Sequence, residues 1–384
     1  MDDPRKTYDE ARDRCPIAHD GDAWTFYGHQ VVRDAALDDA TFSSATSHHL
    51  HVPNAMDGAE HDRYRALIDR YLSPDRVDAL ADAIKTVAAD CVAEIAPGSS
   101  EIDAVALGQE FAVRTACDWL GWPRDLGPEL LEWVDANHLA SGSGSAEANA
   151  IVAKWYDQII ARQIGARRRA GDDAPDDVTT ELMRDDSLGR PLTDAEITSI
   201  LRNWTGGDLS SMALCIGVVC AFLADNPDVQ ARLRLGDVSD AEFNAILDEI
   251  LRIDDPFVAN KRVATRDVEV AGQTVAAGDR VVLNWTAANR DPAVFGGPDG
   301  AGDPDRFDPA GNAGANLVYG IGRHVCPGRG LATAELRLFM RELLAATDLI
   351  APASGPGRER VRAQPPAGGY DAVPLLVRVR VAER

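Results

Sequence analysis

Cys326 stands in the stretch Tyr319-Gly320-Ile321-Gly322-Arg323-His324-Val325-Cys326-Pro327-Gly328-Arg329-Gly330, framed by glycines and followed directly by a proline. Beyond Gly330 the spacing turns helical, through Leu331, Ala332, Ala334, Leu336, Leu338, Phe339, Leu343 and Leu344. A cysteine in a glycine-rich loop that feeds a helix N-terminus meets backbone N–H groups and the positive end of a helix dipole. Both favour thiolate over thiol. A thiolate held in this way suits a soft metal ligand better than a packed core thiol. The other five cysteines (Cys15, Cys91, Cys117, Cys215 and Cys220) have no metal-finger spacing and read as reduced core thiols.

Other residues with chemical potential lie upstream. His61 and Arg65 are four apart on a predicted helix and share a face. They form either a solvated charged face or a cationic pair awaiting an anion, and the sequence leaves both readings open. Glu249 and Arg252 are an i,i+3 pair on another helix. Thr205-Gly206-Gly207-Asp208-Leu209-Ser210-Ser211 interrupts an otherwise apolar helix. Two adjacent glycines cost about 1 kcal/mol each against alanine there, and a buried acid with two hydroxyls needs partners. The conflict predicts a distorted helix facing a cavity, the alternative being a packing notch for a crossing helix. Ser47-His48-His49-Leu50-His51 has the composition of a ligand cluster, but no helix fixes its imidazoles, so it reads as a surface or pocket-rim loop.

The elements that position these residues are predicted to be mainly helical. Ala23 to His29 reads as a strand and turn, and a helix follows from about Gln30. Residues 76 to 170 read as helical almost throughout, with Val77, Leu80, Ala81, Ile84 and Val87 at three-to-four spacing. Thr193 and Glu196 form a capping box that opens a helix ending near Asn226-Pro227. Its apolar circumference predicts a core helix of one large domain, residues 1–384. A small β region covers Val268 to Leu283, and Ala372 to Val381 reads as a terminal strand pair.

Composition narrows the classes. The chain has 384 residues, 45% hydrophobic, with a formal net charge of −23. That charge opposes a nucleic-acid backbone as partner. The start, Met1-Asp2-Asp3-Pro4-Arg5-Lys6, lacks an apolar signal core, and no run of about 18 apolar residues predicts a membrane span. A cytoplasmic monomer is expected.

Taken together, these segments resemble the cytochrome P-450 family of haem-thiolate enzymes over the whole chain. The cysteine loop matches the family's Phe-x-x-Gly-x-His-x-Cys-x-Gly as Tyr319, Gly322, His324, Cys326 and Gly328, with Tyr319 in the place of phenylalanine. Glu249-x-x-Arg252 stands in the family's order before it. The resemblance implies a mainly α fold with a small β region and a long central helix crossing over haem b. It implies that Cys326 is the axial iron ligand, that Gly328 allows close approach of backbone to sulfur and porphyrin, and that His61, Arg65, Arg262 and His324 meet the haem propionates. Glu249 and Arg252 would form a buried structural pair with Arg306 as its third member.

The central helix departs from the family's Ala/Gly-Gly-x-Asp/Glu-Thr. In one register Asp208 is the acid and Leu209 replaces threonine. In another Leu209 replaces the acid and Ser210 the threonine, and counting back from Pro227 favours Ser211. Asp208 with Ser210 or Ser211 is expected as a modified proton relay. The resemblance implies an oxygen-dependent monooxygenase of secondary metabolism, with oxidative aromatic coupling and a non-catalytic haem sensor as alternatives. A small-molecule or peptide-like substrate is expected against Trp204, Gly207, Phe257, Val258 and Tyr370. With no reductase segment in the sequence, a ferredoxin-type acidic partner is expected on Arg63, Arg70, Arg323, Arg329 and Arg337.

Overall fold

Helices dominate the computed structural model, which describes residues 3–47, 49–297 and 302–380, and small sheets accompany them. The chain divides into two units. The first contains the chain up to Arg65, Ser239–Arg329 and Arg362–Gly369, and the second contains Ala66–Val238, Gly330–Val361 and the chain from Tyr370.

A five-stranded sheet organises the first unit. Its order is Ile17–Asp20, Ala23–Phe26, Arg280–Asn284, Ala259–Ala264, Phe42–Ser43. Ala23–Phe26 runs parallel to Arg280–Asn284, and Ala259–Ala264 runs antiparallel to it with Arg262 opposite Val281. The inner side is closed by Phe26, Val32, Phe42, Val281, Leu283, Trp285 and Leu317. Period-two alternation leaves Lys261 in solvent and turns Arg262 inward with Ala264. The sheet thereby carries a guanidinium to a buried position. The predicted hairpin at Ala271-Gly272 joins Val268–Val270 to Gln273–Val275.

In the second unit the central helix spans Asp194–Asp225 as predicted. The Thr193 side chain accepts from the Glu196 N–H at 3.3 Å, and the Glu196 carboxylate accepts from the Thr193 N–H at 2.7 Å. Length and hydropathy alone would let this helix cross a membrane. Here it is a core helix, with Ile200, Leu209, Ile216, Val219 and Cys220 fully buried. It is helical without interruption, so the expected distortion at Gly206-Gly207 is absent.

The packing notch lies elsewhere. A Cβ on Gly108, in the helix Ala104–Leu120, would stand 2.9 Å from the Ala213 Cα, and one on Gly217 would stand 2.7 Å from Val105. A Cβ on Gly206 or Gly207 meets nothing within 4 Å. The paired glycines therefore border open space. Gly108→Ala is expected to push the two helices apart and cost about 1–3 kcal/mol, read from urea denaturation. Gly206→Ala, with no backbone in its way, is expected to leave the midpoint unchanged or raise it slightly.

Two sequence expectations need correction. Residues 76–170 are not helical throughout, because Gly98–Asp103 is a strand. It pairs with Pro374–Val379, which pairs in turn with Thr347–Pro352. Gly98-Ser99-Ser100 has little strand propensity, and its partner lies far along the chain. The terminal segment is correspondingly the middle strand of this sheet and not half of a hairpin; Val381 lies outside the described residues.

Candidate functional site

The cysteine loop is fixed by its own backbone. The Cys326 N–H donates to the Tyr319 carbonyl at 2.9 Å, and the Gly320 N–H donates to that of Leu317 at 2.8 Å. Gly320 and Gly322 have φ of +70° and +76°. Gly322 is doubly constrained, since a Cβ there would also stand 3.0 Å from Leu37 Cδ2. The helix Arg329–Ala346 starts just beyond the cysteine, as the spacing predicts. Cys326 itself is half-buried.

Glu249 and Arg252 brace this loop. Their side chains are 2% and 0% exposed. Arg252 Nε donates to Glu249 Oε2 at 2.7 Å, and a second nitrogen donates to Oε1 at 2.9 Å. The third nitrogen donates to the Asn289 carbonyl, the nitrogen bonded to Oε1 donates also to the Pro304 carbonyl, and Phe295 stacks on the guanidinium at 4.5 Å. Asn289 passes the connection on: its side-chain oxygen accepts from the Leu317 N–H at 2.8 Å, two residues before Tyr319. Arg306 does not serve as the third member. Its side chain is exposed and lies 3.9 Å from Asp308, whereas Glu249 accepts from the Asn312 amide and the Asp308 N–H. The resemblance implies a second arginine here, but the arginine bidentate to Glu249 is Arg252, and the Asn312 amide completes the carboxylate.

Beside the loop the structure gathers His61, His324, Arg65 and Arg262. The rings of His61 and His324 are 4.4 Å apart. His324 Nε2 lies 3.0 Å from Ser44 Oγ and 3.4 Å from Asp57. Burial lowers the His324 pKa to about 4, helped by His61 and Arg262. Burial also lowers that of His61. Neutral imidazoles here can donate one N–H each without adding charge. Arg65 donates to the Val325 carbonyl at 2.7 Å and the Arg323 carbonyl at 3.3 Å, so it tethers the cysteine loop.

An anionic group with carboxylate tails suits this place. Arg262 is 7% exposed, and its one hydrogen bond is to the carbonyl of Lys261. His61 Nδ1 is buried, with Asp62 at 3.5 Å as its nearest carboxylate and no hydrogen bond of normal geometry. A buried guanidinium without a carboxylate in contact is costly unless an anion arrives. At Gly328 a Cβ would meet only the Cys326 sulfur, at 3.8 Å. The protein itself leaves that side of the sulfur open, as a group bound at the thiolate requires.

In the second unit, Gly207 is exposed, and Asp208, Ser210 and Ser211 are half-buried on the central helix. Burial of the Asp208 carboxyl raises its pKa to about 6. Glu335 faces it and was missed by sequence reasoning. Its signal was legible, since Glu335 continues the Leu331 and Phe339 row at i+4 spacing, a buried stripe.

The expected pocket residues behave differently. Phe257 is exposed, and Val258 is buried beside it in the first unit. In the second unit Tyr370 is buried. Trp204 is corrected: its ring packs against Tyr71 at 5.3 Å and Trp119 at 5.2 Å, committing it to the core. His48 lies outside the described residues. Three of the five arginines of the expected docking patch are ion-paired within the chain. Arg323 pairs with Asp39 and Asp62, Arg329 with Asp248, and Arg70 with Asp185. Carboxylates of this acidic chain answer those charges locally.

The chain is similar to known proteins in sequence and in fold. The sequence model of the cytochrome P-450 family matches residues 242–358. The probable cytochrome P-450 127A1 of Sinorhizobium fredii is 30% identical over 340 residues, 87% of this chain and 75% of that relative. Cyclomarin C epoxidase CymV of Salinispora arenicola is 28% identical over 334 residues, 83% of this chain and 81% of the epoxidase. Among solved structures, the open cytochrome P-450 Eryk from S. erythraea matches with a TM-score of 0.86 at 24% identity, covering 99% of this chain and 96% of that one.

Proposed function

This chain belongs to the cytochrome P-450 family, and from that premise we propose that it is an oxygen-dependent monooxygenase of secondary metabolism with a small-molecule or peptide-like substrate. It is an oxidoreductase of the monooxygenase type, and its family implies haem. We assign haem b, with Cys326 as the axial ligand and residues 1–384 acting as one catalytic domain. The observation that carries the reading is the cysteine loop lying beside a buried guanidinium, Arg262, that makes no ion pair with a carboxylate among the described residues.

When bound, the thiolate-ligated haem supplies oxygen activation, as is general in this family. The chain's own contributions are binding, orientation and proton handling. Arg262, His61 and His324 would hold the propionates, Arg262 as a charged donor and the two imidazoles as neutral ones. Arg65 keeps the loop carbonyls of Arg323 and Val325 in place. Glu249 and Arg252 hold the loop from behind through Asn289. On the central helix, the open space at Gly206-Gly207 gives the substrate side its width, and Asp208 holds and releases a proton.

Support for a biosynthetic substrate comes from the relative whose name is cyclomarin C epoxidase. Electrons are assigned to a ferredoxin-type partner. With Arg323 and Arg329 already paired internally, its docking depends on rearranged or residual charge and is expected to be only modestly salt-sensitive. A second reading, oxidative coupling without oxygen insertion, is favoured by Leu209, which stands between acid and hydroxyl where the family pairs acid with threonine. Product analysis under isotopic oxygen, on a ligand found by spin-state screening, separates the two. Monooxygenation gives one labelled oxygen per product. An unlabelled, dehydrogenated coupling product would overturn it.

A further inference from the structure

Two carboxyl groups in the second unit meet without a donor between them. Glu335 is 1% exposed, and both of its carboxyl oxygens are buried without a hydrogen-bond partner. Oδ2 of Asp208 is buried in the same condition. The two side chains face each other at hydrogen-bonding range. Ionised carboxyls are acceptors only, so contact between two of them becomes attractive only when one carries a proton. Glu335 is fully buried and Asp208 half-buried, so water reaches the pair from the Asp208 side only, and a second charge beside the first is disfavoured.

The surroundings supply no obvious counter-charge. Tyr156, fully buried on the helix Ala146–Ala170, senses the charge of Asp208, and its hydroxyl has no hydrogen-bond partner. Arg202, earlier on the central helix, donates to Asp157 at 3.0 Å. Burial raises Asp208 to about 6, and burial followed by the charge of Asp208 raises Glu335 well above the usual carboxyl range. Glu335 is the more deeply buried of the two, so the proton rests there: its O–H donates and the Asp208 carboxylate accepts.

We propose that Glu335 and Asp208 form one shared-proton pair, in which Glu335 stores the proton that Asp208 releases, in place of the acid–threonine couple this helix lacks. On transfer, the O–H bond of Glu335 breaks and one forms on Asp208. Glu335 is left as a carboxylate and regains a proton from water, and no electron moves. Glu335 is thus a proton-holding residue acting through Asp208. The proposal rests on reading Asp208 as the acid of the reaction.

Infrared difference spectroscopy of the full-chain holoenzyme tests it without turnover. At neutral pH the parent protein is expected to show a protonated-carboxyl C=O band that shifts in deuterium oxide. Glu335→Gln loses that band, because the glutamine amide donates to an ionised Asp208. Asp208→Asn displaces the band, because the Glu335 proton no longer meets a carboxylate, and this variant carries the comparison if Glu335→Gln does not fold. The thermal midpoint supplies a second readout. A carboxyl raised on folding stabilises fully below its unfolded value of about 4, and that stability is lost as pH rises through about 6 for Asp208. The parent midpoint therefore falls over this window, and this fall persists in Glu335→Gln, where burial still raises Asp208; the further fall as Glu335 itself ionises at higher pH is absent from that variant. Glu335→Asp restores part of that further fall. A midpoint lowered equally at every pH, with the carboxyl bands of parent and both variants identical, would show a purely structural glutamate and overturn the proposal. An intact band alongside an unlabelled product would instead overturn the monooxygenase reading alone.

Discussion

Arg252→Ala is expected to destabilise the protein by about 3–5 kcal/mol, the range for removing one partner of a buried ion pair. The side chain is 0% exposed and holds four separate groups: the Glu249 carboxylate and the carbonyls of Asn289, Pro304 and Arg306. Truncation leaves a cavity beneath Phe295 and removes two charge-assisted donors from Glu249. Glu249 keeps the Asn312 amide and the Asp308 N–H, which limits the loss and places the estimate within that range. Against a total stability of about 5–15 kcal/mol, this is a large fraction. Equilibrium urea denaturation reads it as a lower midpoint. Arg252→Lys is expected to recover little, since one ammonium cannot reproduce a planar fork bonded on several sides. A midpoint within about 0.5 kcal/mol of the parent would contradict the bracing role.

Cys326→Ser separates chemistry from scaffolding. The loop is held by the Cys326 N–H, the Leu317 carbonyl and two left-handed glycines, none of which involves the sulfur. The fold is therefore expected to survive, with a circular dichroism melt close to the parent's. Turnover is expected to fall by more than ~10²-fold, the upper end of the loss seen when a residue merely supporting a metal ligand is changed. Retained turnover in Cys326→Ser would remove the thiolate from the account.

The parts of this reading that were legible in the sequence are those set by local rules. The cysteine loop is readable because glycine is required at positive φ, and the central helix because its capping box and apolar circumference are contiguous. Glu249 and Arg252 are readable because an i,i+3 pair is adjacent on any helix. Contacts remote in sequence were less legible. The strand Gly98–Asp103 exists because Pro374–Val379 reaches it, and nothing local to Gly98-Ser99-Ser100 announces a partner. Arg306 follows from the family resemblance, but Asn312 fills the space at Glu249. Trp204 as a pocket residue likewise follows from the resemblance, yet its helical face turns it toward Tyr71 and Trp119. Glu335 was hidden within a stripe read only for its apolar residues.

The paired glycines at 206 and 207 show how the structure decides between readings the sequence leaves open. A notch would place a crossing backbone against them, as happens at Gly108. Open space is found instead, which is the condition a substrate-facing stretch requires. The acid that follows is set between that space and a second buried carboxyl.

The most direct measurement of the central claim is the carbon monoxide difference spectrum of the reduced, haem-loaded protein, with Cys326→Ser measured beside it. The account predicts the red-shifted band of a thiolate-ligated haem in the parent and its loss in the variant. An unshifted band in the parent, or the same red-shifted band in both proteins, would contradict Cys326 as the ligand around which the site is built.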